Sequence, residues 1–291
     1  MNKIPILKIN EFSFEKNDCE FYINNIVDHC TNFHNSINLP HKHDFYLTIL
    51  FTAGSGTHEI DFNSYEIKPG SIFLLNPGQT HNWNLSEDIF GYIFFHSESF
   101  YNLYFTDKKI YHFPFFYSRQ NTPCINLPLN ELQNFIDYFQ KIDNEHNNNQ
   151  LLNYHKIRNL IDLLYIDLTR IYNLENKTII NKNHSYFTKL HQLETLIEEN
   201  YKIEKSPKEY AKNLNVSTKH LNRIVQTLLN KTTQDLISER ILLESKRMLI
   251  SSKHSLSEIA LELGYDDYSY FTRFFKKRIK QTPSEFLKKH Q

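Results

Sequence analysis

Two short patterns in this sequence carry histidine: His41-Lys42-His43, which sets two imidazoles one residue apart, and Pro77-Gly78-Gln79-Thr80-His81. A neutral imidazole can ligate a borderline divalent ion, and it can equally line or brace a β structure; spacing does not choose between these roles. The cysteines point elsewhere. Cys19, Cys30 and Cys124 are odd in number and widely spaced, without a CxxC pair, which argues against a disulfide framework or a zinc knuckle and for reduced, mostly buried thiols. Charge is the third source of chemistry. Residues 185–291 hold 19 Lys and Arg against 13 Asp and Glu, and residues 1–184 hold 14 against 20, so a net of zero hides a basic end that can follow phosphates and an acidic end that repels them.

Recurring helix-start signals mark the elements that carry the basic end. Ser206-Pro207-Lys208-Glu209, Ser255-Leu256-Ser257-Glu258 and Thr282-Pro283-Ser284-Glu285 each read as a capping box, predicting three helix beginnings. After the first comes EYAKNLNVSTKHLNRIVQTLL and after the second EIALELGYDDYSYFTRFFKKRI, each a helix, a tight turn and a helix. In both, an alanine (Ala211, Ala260) precedes by four residues a turn residue (Asn215, Gly264) that readily takes the left-handed conformation. Ser217, and Asp266 or Asp267, are the expected caps of the second helices, which span about 217–229 and 267–279. Between the units, TTQDLISERILLESKRMLI has the apolar spacing of one long helix, through Leu236, Ile237, Ile241, Leu242, Met248 and Leu249. Such a joint can set two recognition helices in successive major grooves.

On these residues the last hundred or so positions resemble the DNA-binding domain of AraC/XylS-type regulators, above all in AKNLNVSTKHLNR, SERILLESKRMLISSKHSLSEIALELGY and YFTRFFKKRIKQTPSEF. The resemblance implies that Ser217, Lys219, Asn222, Arg223 and Gln226 face DNA from the first recognition helix. Tyr268, Ser269, Thr272, Arg273 and Lys276 would do so from the second. These side chains have the chemistry for DNA contacts, since Arg pairs with guanine, Asn or Gln with adenine, and Ser, Thr or Lys holds phosphate. Leu221, Ile224, Val225, Phe271, Phe274 and Phe275 are expected in the core beneath them. The chain departs from the family pattern after each recognition helix, where glycine is usual and Asn230 or Lys231, and then Lys280, stand instead.

The amino-terminal half has a different grammar. Segments 46–52, 57–62, 71–75 and 92–96 are rich in β-branched and aromatic residues and are separated by turn chemistry at Asn63-Ser64, Pro69-Gly70 and Pro77-Gly78, so residues 20–115 read as an all-β sandwich or barrel. Helices follow from Leu129. Ile157, Ile161, Leu164, Leu168 and Ile171 form a seam that can pack on a partner helix or on the β structure. This half resembles the cupin-type arm domain that precedes the DNA-binding domain in many AraC-like proteins. In metal-binding cupins the equivalents of His41, His43 and His81 act with a glutamate; here Leu47 and Thr48 stand where it is expected, so neither a metal nor another cofactor is assigned. Strand alternation gives His43, Tyr46, His81, Trp83 and Phe94 as the lining of a small-molecule pocket, the other reading being a filled barrel that only dimerises.

The expected fold is therefore α+β and multidomain. A cupin-like sensing and dimerisation domain spans 1–174, its helical segment 129–174; a linker spans 175–186, and an all-α double helix-turn-helix domain spans 187–291. The expected function is a DNA-binding transcription regulator, a ligand-responsive activator by resemblance, with double-stranded promoter DNA, a small-molecule effector, a second copy of the chain and RNA polymerase as partners. A cupin metalloenzyme with a DNA-binding tail, or a constitutive binder with a structural β domain, are the alternatives. No stretch is apolar enough to span a membrane and MNKIPILKINEF is no signal peptide, which implies a cytoplasmic protein; that it has no enzymatic activity of its own is what the resemblance implies.

Overall fold

A computed structural model describes residues 4–12, 20–37, 39–105, 108–148, 150–176, 184–251 and 254–290; Cys19 and most of the expected linker, 177–183, lie outside them. The chain divides into two compact units, one spanning Ile4–Lys182 and one built on Asn183–Gln291. No helix among the described residues is long and apolar enough to cross a membrane.

The first unit begins with β1 (Ile6–Leu7), β2 (Phe21–Asn25), α1 (Ile26–Ile37), β3 (His41–His43), β4 (Tyr46–Ala53), β5 (Gly56–Ile60) and β6 (Asn63–Ile67). It continues through β7 (Ser71–Leu75), β8 (Thr80–Leu85), β9 (Phe90–His96), α2 (Glu98–Asn102), β10 (Cys124–Asn126), α3 (Leu132–Asn148) and α4 (Asn153–Asn176). Among the described residues two five-stranded sheets form, in the orders β1-β3-β8-β5-β6 and β10-β7-β4-β9-β2. One core includes Leu47, Ile49, Phe51, Ile60, Phe73 and Phe95; a second joins Tyr46, Leu50 and Phe94 to the apolar faces of α3 and α4. Strand alternation explains the division: successive β4 side chains go to opposite faces, so both sides of this strand are buried.

The structure corrects several expectations. The region read as all β contains α1, an amphipathic helix whose Ile26 and His29 are buried, and the short α2. The hairpin expected to turn at Asn63-Ser64 turns two residues earlier: Ile60 pairs with Asn63, and Asp61 and Phe62 both have positive φ, of 48° and 68°. Those dihedrals match the twist of a two-residue hairpin, and the Asp61 carboxylate accepts from the Thr80 amide at 3.0 Å, tying the turn to β8. Of the two readings left open for the α4 seam, packing on the unit's own β structure is the one seen, because Ile157, Ile161, Leu164 and Leu168 are fully buried and Ile171 nearly so within the second core. Each such side chain contributes about 1.5–3 kcal/mol when removed from water, so the seam serves the unit's own stability.

The second unit is helical: α5 (His184–Asn200), α6 (Pro207–Asn213), α7 (Thr218–Leu229), α8 (Thr233–Ser251), α9 (Leu256–Glu262), α10 (Tyr268–Ile279) and α11 (Pro283–His290). The capping boxes at Ser255–Glu258 and Thr282–Glu285 form, each with both reciprocal bonds. The one expected at Ser206 does not. There the Ser206 amide donates to the Glu204 carboxylate at 2.7 Å, and Pro207 alone supplies the helix start. A further box joins Thr232 and Asp235 at the head of α8. These bonds and the Arg278 guanidinium, 2.8 Å away, hold the Asp235 carboxyl down at about 2.

Candidate nucleic-acid interface and ligand-binding site

Both helix-turn-helix units close by the same device. The amide after the turn, Val216 or Tyr265, donates to the carbonyl of the alanine five residues back, Ala211 or Ala260, at 3.0 Å in each case. Both alanines are buried, and the turn residues Asn215 and Gly264 have φ of 54° and 72°. The recognition helices then start on side-chain caps, the Ser217 oxygen accepting from the His220 amide and the Asp267 carboxylate from the Ser269 amide. Leu221, Ile224, Val225, Phe271 and Phe275 are buried beneath them, whereas Phe274 is only half-buried against Tyr265. The turns that lack the family's glycine keep its conformation, with Asn230 at φ 54° and Lys280 at φ 62°. Lys280→Gly is accordingly expected to stabilise this unit by about 0.5–1 kcal/mol, the left-handed strain of a Cβ outweighing the extra freedom of an unfolded glycine. A rise in urea midpoint would register it, and an unchanged or lower midpoint would contradict it.

The residues carried over as DNA readers differ in availability. Ser217, Lys219, Arg223 and Gln226 are exposed and, with Asn222, line a shallow groove that also includes His220 and Thr232. Asn222 is half-buried, and its side-chain oxygen accepts from the Thr233 amide at 3.0 Å, so it caps α8 as it faces the groove. Arg223 donates to the His220 imidazole at 2.7 Å, and Gln226 to Asn230 at 2.6 Å. On α10, Ser269, Arg273 and Lys276 are exposed while Tyr268 and Thr272 are half-buried, and the Thr272 hydroxyl is a buried oxygen without a hydrogen-bond partner. A spacing of three and four residues puts Lys219, Asn222, Arg223 and Gln226 on one helix face and Ser269, Thr272, Arg273 and Lys276 on another, each opposite its buried face. His220 and Thr232 were missed in the sequence. The first is one residue off the carried-over pattern, and the second comes from the next turn of chain.

The β unit splits the five residues expected to line a pocket. His43, His81 and Trp83 share one cluster, while Tyr46 and Phe94 point to the other face of their sheet and pack in the core under α4. The physical reason is parity: an offset of one residue along a strand moves a side chain to the opposite face. His41 lies opposite His81 in the β3–β8 pair, and His58 enters from β5 on the other side of β8. The His81 ring bonds His58 at 2.8 Å through Nδ1 and stands 3.3 Å from His43 through Nε2. Burial pushes the pKa of His58 down to about 3 and that of His41, His43 and His81 below the usual imidazole range, so all four rings are neutral near pH 7. His58 was overlooked, although its parity with Ile60 in the same strand already turned it inward.

Two family models match these two regions: an AraC-like ligand-binding domain over residues 32–116 and a helix-turn-helix domain over 210–289. Among curated relatives, the HTH-type transcriptional activator RhaR of Mannheimia succiniciproducens is 23% identical over 255 residues, spanning 84% of this chain and 86% of that protein. The raffinose operon transcriptional regulatory protein RafR of Pediococcus pentosaceus is 29% identical over 140 residues, or 48% of this chain and 50% of that one. A solved structure of ToxT from Vibrio cholerae covers 94% of this chain and 97% of its own at 14% identity, with a TM-score of 0.41. With an AraC-like ligand-binding domain ahead of a helix-turn-helix domain, the chain belongs to the AraC family of transcription regulators.

Proposed function

We propose that this protein is a ligand-responsive, sequence-specific activator of transcription that reads the major groove with α7 and α10. The observation that carries the reading is the pairing of two recognition helices, each capped and buried on one face, each holding an exposed arginine, Arg223 or Arg273, on the other. The excess of basic over acidic residues in 185–291 supports it, since phosphate neutralisation supplies affinity while base contacts supply specificity. The β unit is the ligand-binding half, and the kinship with named activators supports activation and, with it, contact with RNA polymerase. Pairing into a homodimer must use a surface other than the buried α4 seam. No enzymatic step is assigned.

Selection of duplexes from a random pool by the full-length protein is expected to return two half-sites about one helical turn, roughly 10 base pairs, apart. On the selected site Arg223→Ala and Arg273→Ala should each cost about 1–3 kcal/mol in binding while random duplex loses little, as expected when each pairs with a guanine. Equal losses on selected and random duplexes would remove both arginines from the base-reading set, and a pool without enrichment would remove the function.

A further inference from the structure

We infer that His41, His43 and His81 form an all-nitrogen site for one borderline divalent transition-metal ion, such as zinc(II) or cobalt(II), and that His58 is the positioning residue that turns His81 toward it. A cupin-like fold suggests such an ion together with a carboxylate ligand, and this chain has none at the expected place: Leu47 is buried in the core of the unit and Thr48 bonds the Tyr165 hydroxyl. The fit must therefore be judged on the histidines alone.

Three observations favour it. The ligand atoms of His41, His43 and His81 all lie within 4.8 Å of one another, and the Nε2 atoms of His43 and His81 are 3.3 Å apart. Nitrogens bound tetrahedrally at about 2.0–2.1 Å would stand about 3.3–3.4 Å apart, so this pair is already at coordination spacing. Second, Nε2 of His41 is buried without a hydrogen-bond partner, a condition that costs about 1–3 kcal/mol and that a cation would relieve. Third, the rear nitrogens of His41 and His81 are engaged. Nδ1 of His41 is 2.8 Å from the Leu39 carbonyl, which can only accept; the ring therefore carries its proton there and presents its Nε2 lone pair to the cluster.

His58 does for His81 what Leu39 does for His41. With its Nε2 2.8 Å from Nδ1 of His81, it can accept a hydrogen bond from that nitrogen and leave the His81 Nε2 lone pair facing His43, its own proton then lying on the buried Nδ1, which has no hydrogen-bond partner. A buried outer imidazole thus takes the orienting part that a carbonyl or carboxylate commonly plays. Three neutral nitrogens without an oxygen ligand select zinc, cobalt, nickel or copper over magnesium, calcium or manganese, and leave a fourth position for water or an anionic ligand group.

The test uses full-length protein stripped with a chelator and titrated with cobalt(II) alone. One cobalt per chain is expected, with visible d–d bands of a nitrogen-ligated tetrahedral ion, no sulfur charge-transfer band, and loss of the bands when zinc(II) is added. His43→Gln and His81→Gln should abolish the bands. His58→Ala should keep the stoichiometry and lower affinity about 10–100-fold, and His58→Gln, whose amide oxygen can accept from His81, should recover part of it. Wild-type protein that is folded by its Trp83 fluorescence and shows no bands overturns the site, and so do bands that persist in both glutamine variants. Unchanged affinity in His58→Ala overturns the positioning role. Operator binding measured on the same metal-free preparation reports separately on the regulatory reading.

Discussion

Acidification from neutral to about pH 5 is expected to remove about 2 kcal/mol of stability from the β unit through each of two buried histidines, His29 and His96, on top of what the buried cluster of His41, His43, His58 and His81 loses. His29 packs against Phe12, Tyr22, Phe33, Trp83 and Phe95, and its Nδ1 lies in hydrogen-bond contact with the Tyr22 hydroxyl. His96 sits between the Ser97 carbonyl and the Tyr165 hydroxyl, with the rings of Tyr46, Phe94, Phe100 and Tyr101 around it. Burial pushes the first down to about 3, helped by the nearby His41, and the second down to about 4, against a usual 6.5. Both folded values are depressed, so their stability is present in full above about pH 6.5. It is lost as the pH falls toward 4, where the unfolded chain binds protons that the folded chain refuses. Each group loses about 1.4 kcal/mol per pH unit in that window, which is about 2 kcal/mol each by pH 5. Trp83 is the single tryptophan of the chain, so its fluorescence in urea titrations reports on the β unit alone. A midpoint independent of pH between about 7 and 5 would refute the assignment, and His29→Phe should flatten the slope by one group's share.

Gly264→Ala is expected to cost the helical unit about 2–4 kcal/mol, from left-handed strain plus overpacking. Gly264 has φ 72°, and a Cβ built there would stand 1.8 Å from the Lys202 carbonyl oxygen and 2.8 Å from the Lys205 ammonium. The loop between α5 and α6 is seated against this turn: the Lys205 ammonium donates to the Gly264 carbonyl at 2.7 Å and lies over the Tyr265 ring, while Lys202 pairs with Glu262 at 2.9 Å. A methyl group would drive that loop off the second helix-turn-helix and disturb the aim of α10. Asn215 has the same conformation in the first unit, at φ 54°. Asn215→Ala should therefore lose only about 1 kcal/mol. Urea denaturation followed by far-ultraviolet circular dichroism would separate the two, and equal losses would show that close approach at Gly264 carries no weight.

The ends and faces of α7 and α10 were legible because their causes are local. A cap, a left-handed turn residue and an apolar spacing of three and four act within a few residues, and the expected spans, 217–229 and 267–279, meet the observed Thr218–Leu229 and Tyr268–Ile279 at the cap. Even where lysine replaces the usual glycine, the turn at Lys280 keeps its sign. Ser206 marks the limit of such signals: its capping box is spelled in the sequence, yet the nearby Glu204 carboxylate takes its amide.

Facing was less legible than position wherever the partner lies far along the chain. Strand alternation alone sends Tyr46 and Phe94 to a pocket, yet they belong under α4, since which face of a doubly buried strand meets helices depends on layers that the strand itself does not encode. The α4 seam reads alike whether it meets a second chain or β4 and β9, and only the tertiary packing decides for the latter. By itself the sequence determined two tandem helix-turn-helix units, their caps and their outward arginines, because helix periodicity and capping are short-range. Resemblance grouped His41, His43 and His81, but tertiary structure alone decided that His58 from β5 joins them in one buried cluster, because sheet order and register join residues up to 40 positions apart.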